Sequence, residues 1–421
     1  MSKKLDKLLN QLINLHPKYI DLSLVRLSKL LKKLGNPHLD LPPVIHIAGT
    51  NGKGSTLNFI KNILIEENYK IHTYTSPHLE FFNERITLAN NEIKTKKLLN
   101  ALHYVQKIND KKPITFYEIT TAVAFYLFAK EKADFLILET GLGGRLDATN
   151  IISKSLIDII TPIGLDHQDF LGNTILKITD EKLGIIKKTS VVIVAKQKKI
   201  VLNYIAKKLK NKKNEKIIYN KSYKIIERNN TQFKINYKNK IRIFKNPKLL
   251  GEHQIENAST AVATILKLNE LGYSFTKNII NNGLIKTKWP GRLELGRLEN
   301  IRVYLDGAHN IDGSMQLLKF FKNKKIKLWL IIGMLNNKDL FEYLKILKPI
   351  LYGVVAISIP GEKNSFKPLE IIKVCKKLKI NSFKKPSIDQ ANNFLVNQIK
   401  TNTILVSGSL YLVGKIRKNY L

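Results

Sequence analysis

Val44-Ile-His-Ile-Ala-Gly-Thr-Asn-Gly-Lys-Gly-Ser-Thr-Leu-Asn-Phe-Ile60 decides the fold. The stretch opens as an apolar strand, passes three glycines (Gly49, Gly52, Gly54) and becomes helical, with Leu57, Ile60, Ile63 and Leu64 spaced by three and four. Strand, Gly-rich loop and helix in that order can wrap backbone N–H groups around phosphates at the positive end of a helix. Lys53 would reach the outer phosphates, and Ser55 or Thr56 a bound Mg²⁺. The usual spacing is G-x-x-x-x-G-K-[ST]; here a shorter lead and one residue after the lysine give G-T-N-G-K-G-S.

Outward from this loop, strands at 44–48, 71–74, 135–138, 157–161 and 191–194 alternate with helices near 53–67, 95–107, 117–130 and 179–187. Such alternation predicts a mostly parallel sheet covered by helices. Amphipathic helices over 5–15 and 22–34 precede it. Short β-type runs at 217–218, 223–225, 233–237 and 241–243 read as a small antiparallel extension of the same domain. A helix over 253–271 follows, closed by Gly272. Lys286 to Glu294, with Pro290-Gly291, reads as a hinge. Alternation then restarts: strands at 301–305, 326–332, 354–357 and 403–406, helices at 311–322, 338–347, 367–377, 388–399 and 409–416. The expectation is an ATP-binding domain over 1–290, a hinge at 291–297 and a smaller Rossmann-like α/β domain over 298–421.

At 421 residues, two or three domains are expected. The net charge of +38 suggests nucleic acid, but nine of the 71 basic residues are Arg and 62 are Lys, spread without an aromatic-interleaved block. This argues against nucleic-acid binding. A single cysteine, Cys375, excludes a disulfide framework and suits a reducing cytoplasm. The N-terminus lacks a signal-peptide core, and no apolar run approaches the roughly 20 residues of a membrane span.

Five further stretches carry candidate chemistry. Phe135-Leu-Ile-Leu-Glu139 ends in a carboxylate before a loop with Gly141, Gly143 and Gly144, the place where an acid can hold Mg²⁺. His167 follows a strand end among acids, where it is either a base or metal ligand or merely exposed. Lys182 reads by spacing alone as a surface lysine. Ser76 reads by spacing as part of a Ser-Pro turn, with a weak oxygen ligand as the other possibility. Asp306 and His309 end the first strand of the second domain, where the acid either contacts a ribose or makes an Asp-Gly turn.

Taken in order, Ile47-Ala-Gly-Thr-Asn-Gly-Lys-Gly-Ser55, Ser76-Pro-His-Leu79, Glu139-Thr-Gly-Leu-Gly-Gly-Arg-Leu-Asp-Ala-Thr-Asn150, Leu165-Asp-His167, Glu181-Lys-Leu-Gly-Ile185, Gly291-Arg-Leu-Glu294 and Leu305-Asp-Gly-Ala-His-Asn310 form one set. The set resembles the folylpolyglutamate synthase and bifunctional dihydrofolate synthase family of the Mur ligase superfamily, from about residue 19 to Gly414. The Gly-Thr-Asn-Gly-Lys loop marks the superfamily; the stretch from Glu139 to Asn150 marks the folate branch.

The resemblance implies ATP-dependent amide ligation. A substrate carboxylate takes the γ-phosphoryl group, and the amino group of L-glutamate then displaces phosphate. It implies ATP contacts at Gly49, Thr50, Asn51, Gly52, Lys53, Gly54, Ser55, Thr56, Asn257, Arg292, Asp306 and His309. Mg²⁺, two ions, falls to Ser55, Ser76, Glu139 and His167, with a monovalent cation besides. Lys182 matches a carbamylated lysine, which reverses the bland reading of that residue, and Lys53, Lys182, His167 and Glu139 become the catalytic set. For dihydropteroate or folate the match points to Asp21, Leu22, Ser23, Leu24, Thr115, Phe116, Tyr117, Glu118, Leu146, Asp147 and Ala148. Phe116 serves equally well as a core residue. Leu183 stands where the family often has Ala, and Ser23 where it often has Gly.

The resemblance further implies a cytoplasmic monomer acting on small molecules, with no nucleic-acid or membrane partner. Two alternatives compete. A muramyl-peptide ligase carries an extra N-terminal domain, for which the 43 residues before the opening strand are too few. A non-catalytic P-loop protein would not need Lys182, His167 and Asp306.

Overall fold

β1 (Val44–Ala48) is buried along its whole length. A strand with both faces covered reads as continuous apolar sequence and belongs inside a parallel sheet. The computed structural model, which describes residues 3–18, 20–399 and 401–421, places it there. The chain divides into two compact units, Met1–Lys248 with Ile255–Thr287, and Leu249–Gln254 with Lys288–Leu421.

In the first unit the sheet also contains β2 (Ile71–Tyr74), β3 (Ile86–Leu88), β4 (Asn91–Glu92), β5 (Phe135–Glu139), β6 (Ile157–Ile160), β7 (Val191–Val194) and β8 (Lys216–Ile218). Among the described residues its order is β4-β3-β2-β5-β1-β6-β7-β8. β1 runs parallel to both β5 and β6, with Ile47 beside Glu139 and beside Ile159. The carboxyl ends of β1, β2, β5 and β6 therefore share one rim, where open α/β sheets bind ligands.

Helices cover both faces. On one, Leu5, Leu12, Leu27 and Leu31 of the N-terminal helices Lys3–Ile13 and Val25–Lys33 share a core with Ile119, Val123 and Phe125 of helix Phe116–Lys130. On the other, Ile178 and Leu183 join Val192, Val194, Val201 and Ile205.

The antiparallel extension is present as β9 (Tyr223–Arg228), β10 (Gln232–Tyr237) and β11 (Lys240–Lys245). The run at 217–218 is not part of it, contrary to expectation. It lies in β8, parallel to β7 at the edge of the main sheet. Two apolar residues are too few to show a period. The helix expected at 179–187 spans Ile175–Leu183, because Thr174 accepts the Lys177 N–H and starts it a turn earlier. Helix Glu252–Glu270 ends where Gly272 takes φ +96°.

In the second unit, β12 (Glu294–Leu298), β13 (Ile301–Leu305), β14 (Leu328–Ile332), β15 (Leu351–Ala356), β16 (Ser382–Lys384) and β17 (Thr403–Ser407) form a sheet of order β12-β13-β17-β14-β15-β16. All neighbours are parallel except β12 and β13. β12 was not anticipated, since its Gly296 and Arg297 break a strand pattern. The helix expected over 388–399 is α-helical for Ile388–Asn393 and continues as a π-helix over Phe394–Ile399.

Candidate active site

The loop after β1 is braced from the side by the segment after β6. Thr50 and Asn51 donate their N–H groups to Pro162 O at 2.9 and 3.1 Å. Thr50 Oγ1 donates to Gly164 O at 3.1 Å. These bonds hold the loop from the side. The helix begins at Lys53, so the N–H groups of Lys53, Gly54 and Ser55 have no carbonyl one turn back within it. They form the anion-binding end. Gly52 takes φ +82°, and a Cβ there would lie 2.4 Å from Asn257 Oδ1. Asn257, on helix Glu252–Glu270, thus lies against the loop at a distance only glycine permits.

Two lysines converge on one carbonyl. Lys53 Nζ donates to Gly49 O at 3.2 Å and lies 4.0 Å from Glu139 Oε1. Lys182 Nζ donates to the same oxygen at 2.9 Å. Lys182 is 5 % exposed, and its pKa is lowered to about 7, chiefly by burial and then by the charge of Lys53. The surface reading drawn from its spacing is wrong. Its helix packs so closely on the Glu139–Asn150 loop that a Cβ on Gly144 would be 2.6 Å from Glu181 O. Lys182 is thereby carried inward.

Glu139 ends β5, buried, and accepts the Ser76 N–H on Oε2 at 3.3 Å. Among the described residues, Ser76 Oγ and Thr56 Oγ1 are buried without a hydrogen-bond partner. His167 takes φ +51° and is about one-third exposed, with Nε2 3.8 Å from Asp166 Oδ2. Among the described residues, no group of three or more His, Cys, Asp or Glu side chains could hold a metal. The proposed set contains only two such side chains, and serine hydroxyls supply the rest. An acid and orphaned hydroxyls on one rim still fit a hard cation that prefers oxygen donors and keeps several waters.

Asp147 ties the Gly-rich loop into shape. Oδ2 accepts the Leu142 N–H at 2.8 Å, and Oδ1 accepts from Thr149 N at 3.0 Å and Thr149 Oγ1 at 2.6 Å. Burial raises its carboxyl above the usual carboxylate range. Leu146 beside it is exposed, and Ala148 is buried. Tyr117 lies against this loop, since a Cβ on Gly141 would be 2.5 Å from its Cζ, and it stacks on Tyr74 at 6.0 Å. Phe116 is a core residue, edge-on to Phe82 at 5.9 Å. Thr115 and Glu118 form the capping box of helix Phe116–Lys130. Leu22, Ser23 and Leu24 are half-buried just before helix Val25–Lys33, and Asp21 is paired to Arg26. Arg26 was missed because one basic residue among 71 carries no signal in the sequence.

In the second unit Asp306 directly follows β13. Its oxygens accept the N–H groups of Leu293 and Ala308, each at 2.8 Å, and burial raises its carboxyl. Its carboxylate therefore shapes the loop it begins. Arg292 approaches the same turn, with Nη1 2.7 Å from where a Gly307 Cβ would be. His309 Nδ1 is 2.9 Å from Gly307 O. Arg292, Asp306 and His309 are thus brought together, while Asn257 belongs to the first unit.

Residues 47–265 match the Mur ligase middle domain, and residues 293–419 match the dihydrofolate synthetase C-terminal domain. The dihydrofolate synthase/folylpolyglutamate synthase of Bacillus subtilis is 33 % identical over 411 residues, covering 93 % of this chain and 94 % of that protein. The Escherichia coli protein of the same name is 31 % identical, covering 85 % and 82 %. The structure of E. coli FolC in complex with DHPP and ADP superposes with a TM-score of 0.89 at 29 % identity, covering 99 % of this chain and 97 % of that one. The expected α/β architecture and the folate branch are both supported, and neither the muramyl-peptide nor the non-catalytic alternative is. The chain belongs to the dihydrofolate synthase/folylpolyglutamate synthase family of Mur-type, ATP-dependent ligases.

Proposed function

We propose that the chain joins L-glutamate to dihydropteroate, to the glutamate tail of tetrahydrofolate, or to both. A carboxylate oxygen of the acceptor attacks the γ-phosphorus of ATP and ADP leaves. The glutamate nitrogen then attacks the acyl carbon, phosphate leaves, and the amine loses a proton. The observation that carries this reading is the pair of lysines on Gly49 O, with Glu139 beside Lys53. A preorganised cation, Lys53, with a second buried amine and a carboxylate beside it, suits a γ-phosphoryl transfer and an acyl phosphate.

Within this reading the N–H groups of Lys53 to Ser55 cradle the phosphates and Lys53 neutralises their charge. Ser55, Ser76, Glu139 and His167 hold Mg²⁺, which would screen phosphate charge and polarise the γ-phosphoryl group. Lys182, its pKa lowered by burial, is a nucleophile for CO₂ as the neutral amine, and its carbamate would place an anion beside Lys53. Tyr117 and Asp147 form the floor for the pterin, alongside Asp21–Leu24. Asn257 is the ATP contact proposed within the first unit; Arg292, Asp306 and His309 are the candidates proposed within the second. A monomer acting in the cytoplasm completes the proposal. No described helix is long and apolar enough to cross a membrane.

The test is purified protein with ATP, Mg²⁺ and glutamate, offered dihydropteroate and tetrahydrofolate in parallel. ADP release that requires one or both acceptors is expected. Absence of acceptor-dependent ADP release with either overturns the proposal.

A further inference from the structure

Three segments of the first unit meet at one guanidinium. Arg26, in the first turn of helix Val25–Lys33, donates from Nη1 to Asp21 Oδ2 and from Nη2 to Asp21 O, each at 2.8 Å. Its Nε donates to Glu118 Oε2 at 3.1 Å across 92 residues of sequence. The same Oε2 accepts from Thr115 N at 2.9 Å and from Thr115 Oγ1 at 2.7 Å. Glu118 is 3 % exposed, and its Oε1 is buried without a partner.

A buried carboxylate needs a paired charge. Three donors on one oxygen hold Glu118 in a single orientation. The remaining two Arg26 bonds pin both the side chain and the backbone of Asp21, whose Oδ2 also lies 3.6 Å from His16 Nε2. A planar fork can serve a carbonyl and two carboxylates at once; a lysine's point charge cannot.

We propose that Arg26 is a positioning residue for the pterin-bearing substrate. It locks the Asp21–Leu24 segment to the start of helix Phe116–Lys130, so that the surface these segments present is assembled before substrate arrives. The inference rests on the reading of Asp21–Leu24 and Thr115–Glu118 as substrate contacts. Arg26 itself acts through them. Loss of such preorganisation weakens ground-state binding and leaves the phosphoryl chemistry at the β1 loop in place.

The experiment is steady-state kinetics on the full chain, with KM measured separately for the pterin acceptor, ATP and glutamate. Arg26→Met is expected to raise the acceptor KM about ten- to a hundredfold, as for a charged hydrogen bond removed, with the other two KM values within about twofold. Arg26→Lys should recover only part of the loss. If Arg26→Met does not accumulate in folded form, Arg26→Lys, which keeps a charge beside Glu118 but not the fork to Asp21, carries the same comparison. An acceptor KM within about twofold of wild type, or three KM values rising together as the melting temperature falls, overturns the proposal. Tyr117→Ala separates this from failure of the underlying reading. If it too leaves the acceptor KM unchanged, the substrate assignment falls; if it raises that KM while Arg26→Met does not, the positioning role alone falls.

Discussion

Replacing Lys182 by Met should make the protein more stable and inactive. The ammonium is buried and shares Gly49 O with Lys53, which lowers its pKa from the ordinary 10.5 to about 7. The unfolded chain therefore binds more protons than the native one between about pH 7 and 10.5. Stability rises with pH across that window, and the full penalty is present below it. At pH 7.5 the burden on the native state is about 4 kcal/mol, against about 1 kcal/mol gained from the bond to Gly49 O. Met keeps the aliphatic packing and carries neither term, so its melting temperature should exceed wild type at pH 7.5, with the difference shrinking toward pH 10. Near neutral pH a far larger share of Lys182 than of an ordinary lysine is neutral amine, the form that captures CO₂. Wild type in ¹³C-bicarbonate should show a carbamate resonance that Lys182→Met lacks. Acceptor-dependent ADP release should be lost from the variant and not restored by bicarbonate. Near-wild-type turnover would refute the carbamate role. A variant less stable than wild type throughout pH 7–10 would refute the electrostatic argument.

Gly52→Ala should lose ATP affinity, because its Cβ would lie 2.4 Å from Asn257 Oδ1 at a φ of +82°. A KM for ATP raised about tenfold or more, with melting lowered by the equivalent of about 1–3 kcal/mol, is expected, and an unchanged ATP KM counts against the loop assignment. Glu139→Gln keeps the shape at the end of β5 and removes the charge. The Mg²⁺ concentration for half-maximal turnover should rise about tenfold, and an unaltered Mg²⁺ titration removes Glu139 from the ligand set.

The strands and the phosphate loop were legible because their signals are local. β1, β2 and β7 fall where the apolar runs place them, since strands buried on both faces need no partner to be recognised. The segment at 217–218 shows the limit. Its sheet is chosen by pairing with Val192–Val194, a fact outside its own sequence. The site divides in the same way. Glu139 is marked by its place at a strand end. Lys182 is not marked at all, because its burial comes from the close approach of its helix to Gly144. Only the resemblance pointed to it. Arg26 was invisible to both routes, since its partners lie 5 and 92 residues away.

The irregular spacing of the loop acquires a physical reason from this arrangement. Thr50 and Asn51 give their N–H groups to Pro162 O, so the lead of the loop is anchored to the segment after β6 and does not arch over a phosphate. Gly49, next to that anchor, presents its carbonyl oxygen to both Lys53 and Lys182. A longer lead of the usual kind would free the loop to wrap nucleotide but would loosen the carbonyl that gathers the lysines. A switch protein has no use for that trade. A ligase does, because its second half-reaction needs charge held beside an acyl phosphate after ADP has formed. On this argument, inserting one glycine after Thr50 should spare ATP binding more than it spares ligation, a split that separate measurement of nucleotide affinity and turnover reads directly.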